Sequence, residues 1–174
     1  IDIRLSGTTL IGAIPPKSQQ LRDHYFGDIP TRVEAFMKDV DNQLWELGIQ
    51  AKSEHNEVAP SQHELATIFS QTNIAADQNE RVRLILKKIA KKHGFICLLG
   101  EKPFNGVNGS GNHNNWSINT DTGINLFRPG DKPKDNKLFL VFLTAVIKGV
   151  DEYAGLLRSS VATYGNDFRL GANE

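Results

Sequence analysis

The sequence predicts an α+β domain with an antiparallel or mixed sheet and flanking helices. Helical spacing of apolar residues at 31–48, 77–93 and 136–158 gives the α part. Short apolar or alternating runs at 49–58, 65–69, 95–99 and 112–118 give the β part. The runs are joined by turns or by single helices, without the regular strand–helix alternation of a doubly wound sheet.

Each element has its own signal. Residues 1–29 are rich in turn formers, including Pro15-Pro16, and hold one short expected strand at 8–14. After Pro30, Thr31 offers a helix N-cap, and Val33, Phe36, Met37, Val40, Leu44, Trp45 and Leu47 keep helical spacing until Gly48 stops them. Strands 49–58 and 65–69 are expected to pair. The second helix, 77–93, turns Val82, Leu84, Ile85, Ile89 and Ala90 inward, and its closing Lys91-Lys92-His93-Gly94 complements the helix dipole. A buried strand at 95–99, a glycine-rich loop at 105–111 and a strand at 112–118 follow. Turns containing Pro129, Gly130 and Pro133 lead into the third helix, 136–158. Apolar residues nearly fill its first half, which predicts burial on most sides.

Composition narrows the partners. With 174 residues and 39% apolar content, the chain can build one domain with a core. Its 20 basic and 20 acidic residues cancel, and no block of like charge marks a nucleic-acid surface. The longest apolar run is far too short to span a membrane. A small-molecule partner is therefore expected. Cys97 is the single cysteine, which excludes an internal disulfide and a cysteine-based zinc site and fits a cytoplasmic setting. Set among Phe95, Ile96, Leu98 and Leu99, it reads as an inert core thiol. The chain has no signal-peptide pattern, begins at Ile1 and ends in the run Arg169-Leu170-Gly171-Ala172-Asn173-Glu174. It is read as a fragment of a longer polypeptide.

Glu57 and Glu64 lie seven residues apart in His55-Asn56-Glu57-Val58-Ala59-Pro60-Ser61-Gln62-His63-Glu64. A chain reversal at Pro60-Ser61 would set them facing each other across a hairpin, where like charges repel. A hard cation such as Mg2+ or Mn2+ between them turns that repulsion into binding. The loop Asn105-Gly106-Val107-Asn108-Gly109-Ser110-Gly111 lets backbone approach a ligand closely, or serves only as a tight connection. It lacks the lysine and hydroxyl residue of a Walker loop. Strand alternation after it puts His113, Asn115 and Ser117 on one polar face, suited to a ligand cleft. The other reading of His113 is a histidine hydrogen-bonded at a loop edge. Arg169, after a polar turn, offers a planar fork for carboxylate or phosphate, or else a surface ion pair. His24 and His63 are assigned structural roles.

Taken together, several segments resemble glutamine synthetase, and more closely its long bacterial type III form. They are Pro15-Pro16-Lys17, Asp23-His24-Tyr25-Phe26-Gly27, the His55 to Pro60 run, Gln62-His63-Glu64, Glu101-Lys102-Pro103-Phe104, the Asn108 to Ser117 run, Asn166-Asp167 and the Arg169 to Glu174 run. The resemblance covers almost the whole chain. It implies a curved antiparallel or mixed sheet with flanking helices, residues 1–174 being one partial catalytic domain. The N-terminal β-grasp domain and the C-terminal part of the catalytic domain have no counterpart in the chain.

The activity implied is ATP-dependent ligation of ammonia to L-glutamate through γ-glutamyl phosphate, giving L-glutamine. Carried over residue by residue, Glu57 and Glu64 hold one divalent cation, Mg2+ or Mn2+, and His113 holds a second. Asn108 and Gly109 contact glutamate, Asn115 and Ser117 lie on the nucleotide side, Arg169 binds substrate carboxylate and the transferred phosphoryl group, and Glu174 serves ammonium. Many bacterial members carry a second histidine where this chain has Asn115. The implied parent is a homo-oligomer, a double-ring dodecamer. Two alternatives stay open: a ligase joining glutamate to another amine, and a non-catalytic relative that keeps the fold.

Overall fold

In a computed structural model of the chain, the described residues are 27–57, 59, 61–104, 109 and 113–162. They fall into two units divided between residues 111 and 112. The strand expected at 8–14 lies outside the described residues.

The first unit begins with α1, Thr31–Glu46. Met37, Val40 and Leu44, three and four residues apart, form its buried stripe. Thr31 is not the cap: Pro30 holds that position, and no side chain caps the helix. Gly48 ends it as expected, with φ +73°. The Gly48 amide donates to Trp45 O at 2.9 Å and the Ile49 amide to Leu44 O at 2.9 Å, the paired bonds of a Schellman ending.

Strands β1, Ala51–Asn56, and β2, His63–Thr67, pair antiparallel as a two-stranded sheet. β1 lies within its expected bounds of 49–58 and is shorter, whereas β2 begins and ends two residues before its expected 65–69. The register pairs Ser53 with Ala66, Glu54 with Leu65, His55 with Glu64 and Asn56 with His63, with an irregularity between Ala51 and Ser53. Helix α2, Thr72–Lys92, starts five residues before the expected Asp77. The added residues, Thr72 to Ala76, hold one large apolar side chain, Ile74, and it is exposed, so no buried stripe announced them.

Val40, Leu44, Ile49, Val82 and Ile89 form the core, with Phe36, Leu65, Ile85 and Leu86 packed against it. Full burial of each such aliphatic side chain contributes roughly 1.5–3 kcal/mol. Leu84, expected inside, is 68% exposed. It lies two residues from Val82 along α2, about 200° around the helix from that buried position.

The end of α2 is fastened to the start of α1. Arg32 Nη2 donates to His93 O at 2.9 Å, and the Arg32 guanidinium stacks 4.2 Å from the centre of the Phe95 ring. His93 Nε2 lies 2.8 Å from Asp39 Oδ2, and Phe36 meets the His93 and Phe95 rings edge-on. Residues 95–99 follow as irregular backbone, not the expected strand, because they find no ladder partner among the described residues. Cys97 is half-buried, and burial pushes its thiol pKa up against the opposing charges of Lys87 and Arg83. That keeps it protonated, in line with an inert thiol.

In the second unit, the expected strand at 112–118 is also missing: residues 113–118 have no regular structure. A single antiparallel bridge joins Asn119 and Asn125 around a turn, where the Gly123 amide donates to Thr120 O at 3.0 Å. A short 3-10 helix, Pro133–Asp135, precedes α3, Lys137–Glu152, and α4, Ala154–Val161. Asn136 caps α3 by accepting from the Phe139 amide at 3.1 Å, while its Nδ2 donates to Arg128 O at 3.2 Å. The expected single helix thus appears as two segments that meet at Tyr153. Its apolar half is not buried: Leu138, Val141, Ile147 and Val150 are exposed, and α3 has no buried residue. No described helix is long and apolar enough to cross a membrane.

Candidate metal centre

The hairpin brings the two glutamates together, with a histidine beside them. His55 and Glu57 are two residues apart along one chain direction, which turns them to the same face. Glu64 stands on that face because the register sets it opposite His55. The direct partner of Glu64 is therefore His55, and Glu57 lies diagonally across from it, a correction to the face-to-face pair expected from the sequence. The reversal is closed by Gln62 N donating to Ala59 O at 3.2 Å and Glu57 N donating to Gln62 O at 3.0 Å, with Ser61 at φ 54°. A left-handed residue at the third position is a feature of tight turns.

His55 Nε2 lies 3.2 Å from Glu57 Oε1 and 3.3 Å from Glu64 Oε2. One donor atom from each of the three residues falls within 4.8 Å of the others. Glu57 is buried and Glu64 about half-exposed, so the cluster is walled on one side and open on the other. The Glu64 carboxyl is held above the ordinary glutamate range, first by burial and then by the hydrogen bond it shares with Glu57; the Glu57 charge adds to this and His55 opposes it. Two carboxylates this close compete for one proton. A divalent cation relieves the same repulsion, and two carboxylates with an imidazole are donors that suit one. The residues present thus fit a divalent ion.

The opposite face of the hairpin is structural. Buried Asn56 donates through Nδ2 to Gly27 O at 3.0 Å and Asp28 O at 3.1 Å. Its Oδ1 is left to accept from His63 Nδ1 at 2.9 Å. His63 accordingly fixes the turn end of the hairpin, in keeping with its structural assignment.

The other expected site residues divide by location. Gly109 sits tightly against the loop before it: a Cβ there would lie 2.7 Å from Lys102 Cγ and closer still to the Glu101 carbonyl. Packing by itself is enough to require glycine at that position. His113, Asn115 and Ser117 are exposed residues of the second unit, and Trp116 between them meets the Phe127 ring edge-on at 5.1 Å. Asn108, Arg169 and Glu174 lie outside the described residues. His55 was the residue without an assigned role. Its signal was present in the sequence as the two-residue strand period His55-x-Glu57.

In an α+β chain, a hairpin that gathers two carboxylates and an imidazole defines a candidate divalent-metal centre. Residues 11–169 match the family described as "Glutamine synthetase, catalytic domain", and the chain belongs to that family. It is 61% identical over 173 residues to a glutamine synthetase of Butyrivibrio fibrisolvens, across 99% of this chain and 25% of that protein. It is 57% identical to a glutamine synthetase of Bacteroides fragilis (strain YCH46), again across 99% of this chain and 24% of the relative. A "Type-3 glutamine synthetase" of Dictyostelium discoideum is 54% identical, with 99% of this chain and 24% of that protein covered. The chain therefore spans about a quarter of the length of these relatives.

Proposed function

We propose that the full-length protein joins ammonia to L-glutamate at the expense of ATP, giving L-glutamine, and that this chain supplies part of its catalytic domain. The observation that carries the proposal is the convergence of His55, Glu57 and Glu64 within 4.8 Å in a chain of the glutamine synthetase family. Glu57 and Glu64 hold one divalent cation, Mg2+ or Mn2+, and His113 holds a second. Such ions supply charge neutralisation for phosphoryl transfer.

The remaining roles are those that the family resemblance implies, and the chemistry of each side chain suits them. A carboxylate is a poor acyl donor, so the glutamate side chain takes the γ-phosphoryl group of ATP before ammonia attacks. Asn108 and Gly109 orient glutamate, and Asn115 and Ser117 offer hydrogen bonds to the nucleotide. Arg169 faces the substrate carboxylate and the phosphoryl group with its planar fork. Glu174 removes a proton from ammonium. The family resemblance further supports a cytoplasmic homo-oligomer, a double-ring dodecamer, with the rest of the catalytic domain and a β-grasp domain supplied by sequence beyond this chain.

Coupled measurement of ADP release and glutamine formation by the full-length protein, with glutamate, ammonium, ATP and Mn2+, tests the proposal. Matched, ammonium-dependent release of both products is expected. Glu57→Ala and Glu64→Ala should each lower turnover by at least about a hundredfold, since even outer-shell changes at metal sites cost about 10–100-fold. Turnover with a larger amine in place of ammonium would move the protein to a related glutamate–amine ligase. ADP release untouched by both substitutions would overturn the role of the hairpin.

A further inference from the structure

We propose that Lys102 is a positioning residue for glutamate: its buried stem is the wall against which Gly109 rests, and it thereby sets the place of the backbone that receives the substrate. The inference rests on the proposed contact of Asn108 and Gly109 with glutamate, and goes beyond it in naming the residue that holds Gly109. Burial singles Lys102 out. It is 5% exposed, and among the described residues no other lysine or arginine is buried. Lysine is seldom buried to this degree, because its ammonium must keep hydrogen-bonding or ionic partners. A stem taken out of water also loses its rotamer freedom. Lys102 is therefore a fixed object in the fold, unlike a mobile surface lysine.

Its contact with the loop is direct. A Cβ on Gly109 would lie 2.7 Å from Lys102 Cγ and 3.0 Å from Lys102 Cα, and closer still to the Glu101 carbonyl oxygen. The glycine is thus seated on residues 101–102, with the lysine stem as the side-chain part of the seat. That seat is itself constrained, since Pro103 restricts the backbone of the residue before it. Groups that bind substrate must be held within about 0.5 Å of their productive geometry by residues that packing has locked. A change of shape at Lys102 Cγ should therefore reach glutamate through Gly109.

The competing role for Lys102 is that of a buried cation that only holds the fold. Apolar substitutions separate the two, because all of them remove the ammonium and they differ in the stem. Lys102→Met keeps an unbranched stem. Lys102→Leu places a branch at Cγ, the side-chain atom that a Cβ on Gly109 would meet, and Lys102→Ala deletes that atom. The assay is steady-state glutamine formation by the full-length protein, with the KM values of glutamate and ATP measured separately. Lys102→Met should keep the glutamate KM within about threefold of the unsubstituted protein, whereas Lys102→Leu and Lys102→Ala should each raise it about tenfold or more. In all three, kcat should stay within about threefold and the ATP KM within about twofold. The comparison with Lys102→Met needs only one of the other two, so it stands if Lys102→Leu does not fold. Equal glutamate KM values across the variants, or an ATP KM that rises with that of glutamate, would overturn the positioning role. A glutamate KM unchanged by Asn108→Ala would instead overturn the assignment of this loop to glutamate.

Discussion

Glu54 precedes His55 by one residue and so belongs to the other face of β1, opposite Leu65 and toward α1. Burial raises its carboxyl pKa first, and the charges of Asp41 and Glu34 on α1 raise it further. A carboxyl that holds its proton more tightly when folded favours the folded state at low pH. That contribution is full below the unfolded pKa and is lost as pH rises through the higher folded pKa. At neutral pH the ionised Glu54 is therefore a liability. Glu54→Gln should raise the urea midpoint at pH 7, with the gain shrinking toward zero near pH 4. A midpoint gain that does not depend on pH would show that the charge is not the cause. Neighbouring residues of one strand thus separate by alternation alone, His55 and Glu57 to the face shared with Glu64 and Glu54 and Asn56 to the packed side.

Both helices of the first unit end in the same way. The Gly94 amide donates to Lys91 O at 3.3 Å and the Phe95 amide to Ala90 O at 2.8 Å, repeating the bonds at Gly48. The two glycines have φ +69° and +73°, conformations that cost an L-residue about 1–2 kcal/mol. Their surroundings differ. A Cβ on Gly48 meets nothing within 4 Å, whereas one on Gly94 comes within 3.3 Å of Arg32 Nη2, which ties α2 to α1. Gly48→Ala should lose about 1 kcal/mol in chemical denaturation. Gly94→Ala should lose more, and only there should Arg32→Ala in the same chain act less than additively. Equal losses with full additivity would separate the Gly94 ending from the Arg32 clamp. These endings were legible in sequence because glycine after an apolar stripe is a local signal. The early start of α2 was hidden because Thr72 to Ala76 hold a single large apolar residue, the exposed Ile74, and the strands at 95–99 and 112–118 were over-read. Alternation or an apolar run marks a segment able to pair, but the ladder needs a partner strand as well.

Across the whole chain, what the sequence carried well were contacts close along the backbone. Seven residues separate Glu57 from Glu64, and the hairpin between them was foreseen, though its register was not: the expected mirror pair turned out to be a diagonal one. Burial of α3 was the largest miss. Its composition is that of a core helix, yet Leu138, Val141, Ile147 and Val150 are all exposed in this chain. Large exposed apolar faces mark surfaces that pack against something else. The chain covers about a quarter of the length of relatives that match nearly all of it. The proposed cation centre at Glu57 and Glu64 is set, within this chain, by one hairpin. Calorimetric titration of Mn2+ into the full-length protein, with and without Glu57→Gln and Glu64→Gln together, tests it most directly. Loss of one Mn2+ site per chain, with the thermal unfolding of the metal-free protein preserved, is the result predicted. Unchanged stoichiometry and affinity in the double variant would contradict it.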